Sequence, residues 1–285
     1  MDVDVVEAVR AALPGLRAAE ARVAHRVIAD PTLVVDLTSS ELARLCETSL
    51  ATVARFSQAV GFSGYRELRV AFAGSVARAQ AERVRFGLDD AAIDLADPLE
   101  KIAAKIAARE VGAIEQTIAA LDLVALDRVA GAVADAGRVQ LIGHAASSLT
   151  AQDLRLKLAR IGIVAEHSGD PHIALPAAAL LGPGDVAVAI SHDGVTAETI
   201  RCAEVARATG ALTVAVTNAH ASPLSRAVDV VLETRAKESP LRIAAMSSRT
   251  AQLALLDVLF VRVVQHRGGT VTDPLRATRR AVTGG

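Results

Sequence analysis

Hydrophobic positions follow two rhythms along this chain. In the first third they recur every three or four residues. Leu16, Val23, Val27 and Ile28, with Ala24 between them, mark one face of a helix. Asp30-Pro31 ends it, because the residue before a proline avoids the α region. Thr38-Ser39-Ser40-Glu41 reads as a capping box opening a helix whose buried face is Leu42, Leu45 and Cys46. After the turn Glu47-Thr48-Ser49, Ser49 caps a second helix with Val53, Phe56 and Val60 inward, and Gly61 ends it. A further helix carries Leu68, Val70 and Phe72. Beyond Arg138 the rhythm changes. Short apolar runs at 139–142, 163–166, 186–190, 212–217 and 228–232 predict strands. They alternate with helical stretches at 147–160, 172–181 and 195–208, a short turn after Pro223, and a nearly all-apolar helix over 242–265. Such alternation predicts a parallel sheet covered by helices on both faces.

Between the two regions, 87–98 is acidic and turn-rich and reads as a linker, followed by helical segments at 99–121 and 122–136. The expected division is therefore 1–86 as an all-α domain, 87–121 as linker and bridging helix, and 122–285 as an α/β domain with five parallel strands. The tail from Thr270 is mildly basic and is expected to be loose.

Composition sharpens this picture. Of 285 residues, 52% are hydrophobic, with no Trp and one Tyr, so aliphatic side chains must fill the cores. The aromatics Phe56, Phe62, Tyr65, Phe72 and Phe86 crowd the first third, and only Phe260 lies beyond. A small domain needs large side chains to close its core, which supports a separate N-terminal unit. The two cysteines, Cys46 and Cys202, fall in predicted helices and read as free thiols in a reducing compartment. With no basic-then-apolar leader and no membrane-length apolar run, the expected location is cytoplasmic, without membrane contact. A net charge of −1 excludes a global electrostatic pull on nucleic acid, so any such contact needs a local patch.

One patch exists. The two short helices around 39–60 fit a helix-turn-helix, and 48–66 contains Arg55 and Arg66 but no acid. The second helix presents Ala51, Thr52, Arg55 and Gln58 outward. Thr52 and Arg55 are the candidate base-edge readers, since Arg pairs bidentately with guanine. Ser49, Ser63, Tyr65 and Arg66 are candidate phosphate contacts, whereas Arg22 and Arg26 read as a solvated helix face.

A second patch sits in the sheet region. The run 186–190 breaks at Ser191-His192-Asp193-Gly194-Val195-Thr196 and resumes as a helix. Hydroxyls beside the unpaired N–H groups of a helix's first turn make a cradle for an anion or a sugar. The first strand ends in Gly143-His144-Ala145-Ala146-Ser147. Ligands of parallel sheets bind outside the carboxyl ends of the strands, where strand order reverses, and both loops fall on that side.

With these motifs in place, the chain resembles transcription regulators of the RpiR family, which join a helix-turn-helix domain to a SIS (sugar isomerase) domain of flavodoxin-like architecture. The N-terminal residues carrying the resemblance are Leu37-Thr38-Ser39-Ser40-Glu41-Leu42-Ala43, Thr52-Val53-Ala54-Arg55-Phe56 and Gly61-Phe62-Ser63-Gly64-Tyr65. The C-terminal ones are Ala151-Gln152-Asp153-Leu154, Arg160-Ile161-Gly162, the loop 191–196, and Ala245-Met246-Ser247-Ser248-Arg249. The resemblance implies a double-stranded DNA operator, an effector that is a sugar, amino sugar or sugar phosphate, and a homodimer or homotetramer. No cofactor, no metal and no catalysis are expected. The resemblance places the effector at Ser147, Ser148, Ser191, His192, Asp193 and Thr196.

Two residues depart from the family pattern. Asp193 stands where a third Ser or Thr is usual, and a carboxylate about 4 Å from a phosphate costs about 4 kcal/mol at an effective dielectric near 20. Asp193 is expected either to cap the next helix through the Thr196 N–H or to accept from a sugar hydroxyl or amine. Either role points away from an ordinary sugar phosphate, or to an altered binding geometry. Ala145 stands where Gly is more frequent and leaves less room for the backbone to approach a ligand.

Two rivals have distinct requirements. An aldose-ketose isomerase needs a base beside the carbonyl. The segment 241–250 has no acid, leaving Glu238 just before it and His192 as a substitute. A zinc site would gather His144, His167, His192 and His220 at the strand ends, but their spacing is not that of a known cluster.

Overall fold

The structure is a computed structural model that describes residues 5–88, 93–94, 96–238 and 245–283. Parts of the expected linker (89–92 and 95) and the expected start of the last helix (242–244) lie outside the described residues. The chain forms two compact units, one of residues 1–91 with 96–105, the other of 92–95 with 106–285.

The first unit is helical: α1 (Val5–Ala12), α2 (Ala18–Ala29), α3 (Thr32–Asp36), α4 (Ser39–Leu45), α5 (Leu50–Ala59) and α6 (Tyr65–Phe86). The capping box forms as read, with Thr38 accepting from the Glu41 N–H and Glu41 accepting from the Thr38 N–H. Ser49 caps α5 by accepting from the Thr52 N–H at 3.2 Å. Phe56 and Phe72 are fully buried with Leu42, Val53 and Leu68, so aromatic side chains do close this core. Leu45 and Val70, expected inside, are exposed. In their place Ala43 and two valines of the unexpected α1, Val5 and Val9, are buried. The Tyr65 hydroxyl donates to the main-chain carbonyls of Val34 and Leu37, and burial pushes its ionisation up to about 12.

α7 (Leu99–Ala119) supplies residues to both units, 99–105 to the first and 106–119 to the second. The second unit continues with α8 (Leu123–Asp135), β1 (Val139–Gly143), α9 (Ala146–Arg160), β2 (Ala165–His167), α10 (Pro171–Ala179), β3 (Val186–Ile190), α11 (Ala197–Ala208), β4 (Leu212–Thr217), α12 (Pro223–Ala227), β5 (Val230–Glu233), α13 (Ser247–Arg267) and α14 (Thr272–Thr283). The five strands are parallel in the order β2-β1-β3-β4-β5. Strand order reverses between β1 and β3, where Gly143 pairs with Ile190. The tail expected to be loose forms α14, because Val271 is buried and Leu275 packs on the core.

The two faces of the sheet differ in side-chain size. Val139, Leu141, Val186, Val188, Ile190, Val214 and Val216 pack with residues of α8, α9 and α13. The alternate positions Ala187, Ala189 and Ala215 meet alanines of α10 and α11, together with Cys202. Asp229 fixes the last strand pair. It accepts from the N–H and the hydroxyl of Thr213, at 3.0 and 2.6 Å, and from Arg207 at 2.9 Å. Burial pushes its carboxyl up, but the Thr213 bonds and Arg207 outweigh that and hold it below the usual aspartate range.

A depressed folded-state pKa contributes stability above the unfolded value and loses it as pH falls through the folded one. The stability gap between wild type and Asp229→Asn is therefore expected to be largest near neutral pH and to shrink on acidification below about pH 4. Urea unfolding at a series of pH values measures it; a gap that widens in acid contradicts this role.

Candidate functional site

The reversal point between β1 and β3 brings both expected loops together. A Cβ on Gly143 would stand 2.7 Å from the Ser147 carbonyl oxygen, so the missing side chain lets α9 start immediately at the strand end. Ala145 then takes φ +49°, ψ −123°, a conformation that glycine adopts at no steric cost and alanine does not. The second loop turns at Gly194, with φ +63°. A Cβ there would lie 2.2 Å from Ser222 Oγ. The loop is tied to β4, since Thr217 Oγ1 and the Asn218 N–H both donate to the His192 carbonyl, at 3.0 and 2.9 Å.

Ser191 and Thr196 pair through their hydroxyls at 3.1 Å, the former buried and the latter at the N-cap of α11. Asp193 lies between them in the loop. Its side chain is 46% exposed, with Oδ1 3.7 Å from His192 Nε2. Ser147 and Ser148 open α9. Ser148 Oγ lies 2.8 Å from His167 Nε2, and His167 Nδ1 donates to the Leu141 carbonyl. A carbonyl only accepts, so the proton sits on Nδ1.

Sequence reasoning weighed Glu238 and His144 only in the rival readings and passed over Thr150, Thr234 and Gln252. Glu238 accepts from the Ser248 N–H through Oε1 at 2.7 Å, while its Oε2 is buried without a hydrogen-bond partner. One turn on, Gln252 reaches the first loop, accepting from Thr150 and pointing its amide at Ser147 Oγ. Thr234 Oγ1 and His144 Nε2 are likewise buried without a hydrogen-bond partner, His144 being held by Thr199 on its other nitrogen. Buried polar atoms of this kind are rare and mark places where a polar ligand or water completes the network. The segment 234–238 that carries Glu238 is stitched to α7. The Arg235 N–H donates to Thr117 Oγ1 at 2.9 Å and Arg109 donates to the Lys237 carbonyl at 2.9 Å. The histidines of the zinc reading have other partners, His220 meeting Glu233. Among the described residues no group of three His, Cys, Asp or Glu could hold a metal ion.

In the helical unit the expected DNA contacts divide. Thr52 is only 4% exposed and its hydroxyl is spent on Ser49 and Arg55, so it does not face a duplex. The Tyr65 hydroxyl is likewise committed inside the unit. Ser63 donates from both N–H and hydroxyl to Glu67, which puts a carboxylate where a phosphate was expected. Ser49, Arg55, Gln58 and Arg66 remain exposed. Arg55 leans on the buried Glu20, whose carboxyl is held below its usual range by the Arg17 N–H and by Arg55 itself.

Gly194→Ala is expected to cost about 1–3 kcal/mol, the usual toll of forcing atoms into a filled, strained site. Gly269→Ala, where a Cβ meets nothing within 4 Å, is the control. Denaturant unfolding of both variants reads the difference; equal effects would mean the loop has slack.

Residues 3–79 match the helix-turn-helix domain of the rpiR family, and residues 132–262 match the SIS domain. An HTH-type transcriptional regulator of Caldanaerobacter subterraneus subsp. tengcongensis is 35% identical over 280 residues, covering 98% of this chain and 97% of its own. One from Haemophilus influenzae is 33% identical over 250 residues, 88% of this chain and 86% of its own. Among solved structures, the Vibrio vulnificus NanR protein complexed with ManNAc-6P is similar over 98% of both chains, at 27% identity and a TM-score of 0.61. No helix among the described residues is long and apolar enough to cross a membrane. By its helix-turn-helix unit, its SIS sheet and its end-to-end similarity to these regulators, this chain belongs to the RpiR family of transcriptional regulators.

Proposed function

We propose that residues 1–86 bind an operator duplex in the cytoplasm and that a phosphorylated sugar or amino sugar, held at the β1/β3 crevice, sets operator affinity without being converted. The observation that carries this reading is the Ser191–Thr196 hydroxyl pair at the point where strand order reverses, beside buried polar atoms that lack partners. A phosphate there meets hydroxyls and the N-terminus of α11. Similarity to a protein solved with ManNAc-6P supports the phosphorylated class. Asp193 opposes it less than its charge alone suggests, because a half-exposed carboxylate is screened by water and the cost falls toward about 1 kcal/mol. Ser147, Ser148 and His192 are the further contacts of the proposal. The reading without catalysis is supported by the relatives, which are named transcriptional regulators.

Calorimetry with a panel of sugar phosphates that includes ManNAc-6P, alongside operator titrations, tests this. Wild type is expected to bind one member, to change operator affinity when it does, and to leave the sugar unchanged. Asp193→Ser is expected to bind it about fivefold tighter, the equivalent of about 1 kcal/mol. If no phosphorylated sugar binds, or if binding leaves operator affinity unmoved, the reading fails.

The assembly we propose is a homodimer or a homotetramer built from it. Between α8 and α13 runs an apolar groove of about 620 Å³ lined by Leu123, Leu126, Val258 and Val261, with Asp127, Asp257 and Arg262 among its other residues. Leu123 and Val261 are 67% and 55% exposed. Charges of both signs beside an apolar strip suit a twofold contact of a surface with itself. The double variant Leu123→Glu/Val261→Glu is expected to halve the mass seen by light scattering while the melting temperature of the monomer stays measurable. An unchanged mass places the contact elsewhere.

A further inference from the structure

At the start of α5 the exposed side chains Leu50, Ala51 and Ala54 carry no hydrogen-bonding group. Leu50, Ala51, Ala54, Arg55 and Gln58 fall on one stripe of the helix, at the spacings that keep residues on a common face. All five are exposed, and Leu50 leaves 54% of its surface in water at the first position of the helix. Thr52, the only hydroxyl within the first turn and a half of α5, is turned inward. An apolar helix start of this kind has no internal partner, and Glu47 and Glu67 only flank the acid-free stretch that contains it. Arg44, Arg55 and Arg66 are exposed nearby in sequence, and no acid occurs over 48–66.

In a helix-turn-helix the N-terminal residues of the second helix reach base edges in the major groove. Of the groups displayed there, the thymine C5-methyl is the one that an aliphatic side chain can recognise. Apolar side chains offer nothing to the O6 and N7 acceptors of guanine or to the N4 donor of cytosine. Leaving those groups dry and unpaired against Leu50 or Ala54 would be unfavourable.

We propose that this face reads its operator through thymine methyl groups, Leu50, Ala51 and Ala54 lying against them. Arg55, held in place by Glu20 and Thr52, fixes a single guanine at the edge of that run, and Gln58 pairs with an adenine. Glu20 is a positioning residue. It is buried, accepts from the Arg17 N–H at 3.1 Å, and takes the Arg55 Nε–H at 3.2 Å. Two Arg55 bonds are thus spent on orientation, and of its five N–H donors the others are left for the duplex.

The inference rests on the operator-binding reading above, and the experiment separates the two. Selection from a random duplex library with the full chain is expected to enrich a half-site in which A·T pairs lie beside one G·C pair. Deoxyuridine in place of each thymidine removes only the methyl. Each contacted position is expected to lose about threefold to fivefold in affinity, the worth of one buried methyl group. Leu50→Ser, a surface change that should leave the melting temperature unchanged, is expected to abolish the penalty at one position. Glu20→Gln is expected to relax the preference for guanine over adenine while total affinity changes less. Enrichment of a half-site that tolerates deoxyuridine throughout overturns the methyl reading and leaves operator binding intact. Failure to enrich any sequence sinks both.

Discussion

The second unit depends on two points where backbone and side chain come closer than a Cβ permits. Gly143 lets α9 begin directly at the end of β1, and Gly194 lets the loop after β3 lie against Ser222. Because β1 and β3 are neighbours and the chain leaves them toward opposite faces, these close approaches bring two helix starts to one edge of the sheet. The Ser191–Thr196 pair and the Ser148–His167 bond both lie at these helix starts. Ala145 shows the constraint from the other side, keeping the backbone angles of a glycine although it carries a methyl group.

The same edge is connected to the rest of the chain by a short segment. Residues 234–238 bond β4 through Thr234 and Asn218, α13 through Glu238, and α7 through Arg235 and Lys237. α7 is one uninterrupted helix whose first residues belong to the helical unit. Glu238 therefore lies on a segment fastened to α7.

Local signals were readable in the sequence, and distant ones were not. The capping box, the Ser49 cap and the strand runs at 186–190 and 212–217 appear where the pattern puts them, because each is set by residues a few positions apart. The parallel, two-faced sheet followed from alternation, yet the division into a large-residue face and an alanine face emerged only from the structure. Side-chain direction was the weak point. Thr52, Ser63 and Tyr65 were read as donors for DNA, but each found a partner inside the unit, and the partners of Tyr65 lie 28 and 31 residues away. The Thr150–Gln252 and Thr117–Arg235 bonds span 102 and 118 residues, a separation at which spacing carries no trace of contact. The amphipathic α14 hid behind a basic composition, since its anchors, Val271 and Leu275, are few and widely spaced among the described residues.

Tyr65 carries one further consequence. It is the chain's only tyrosine, and there is no tryptophan. Its ring packs against the helical unit's core and its hydroxyl is hydrogen-bonded there, so the phenol stays un-ionised far into alkaline solution. Near-ultraviolet absorbance and emission above the phenylalanine band therefore originate in the helical unit alone, and the sheet-containing unit is optically dark. The molecule carries a native chromophore on its DNA-reading side, so unfolding or rearrangement of that side can be followed without a label.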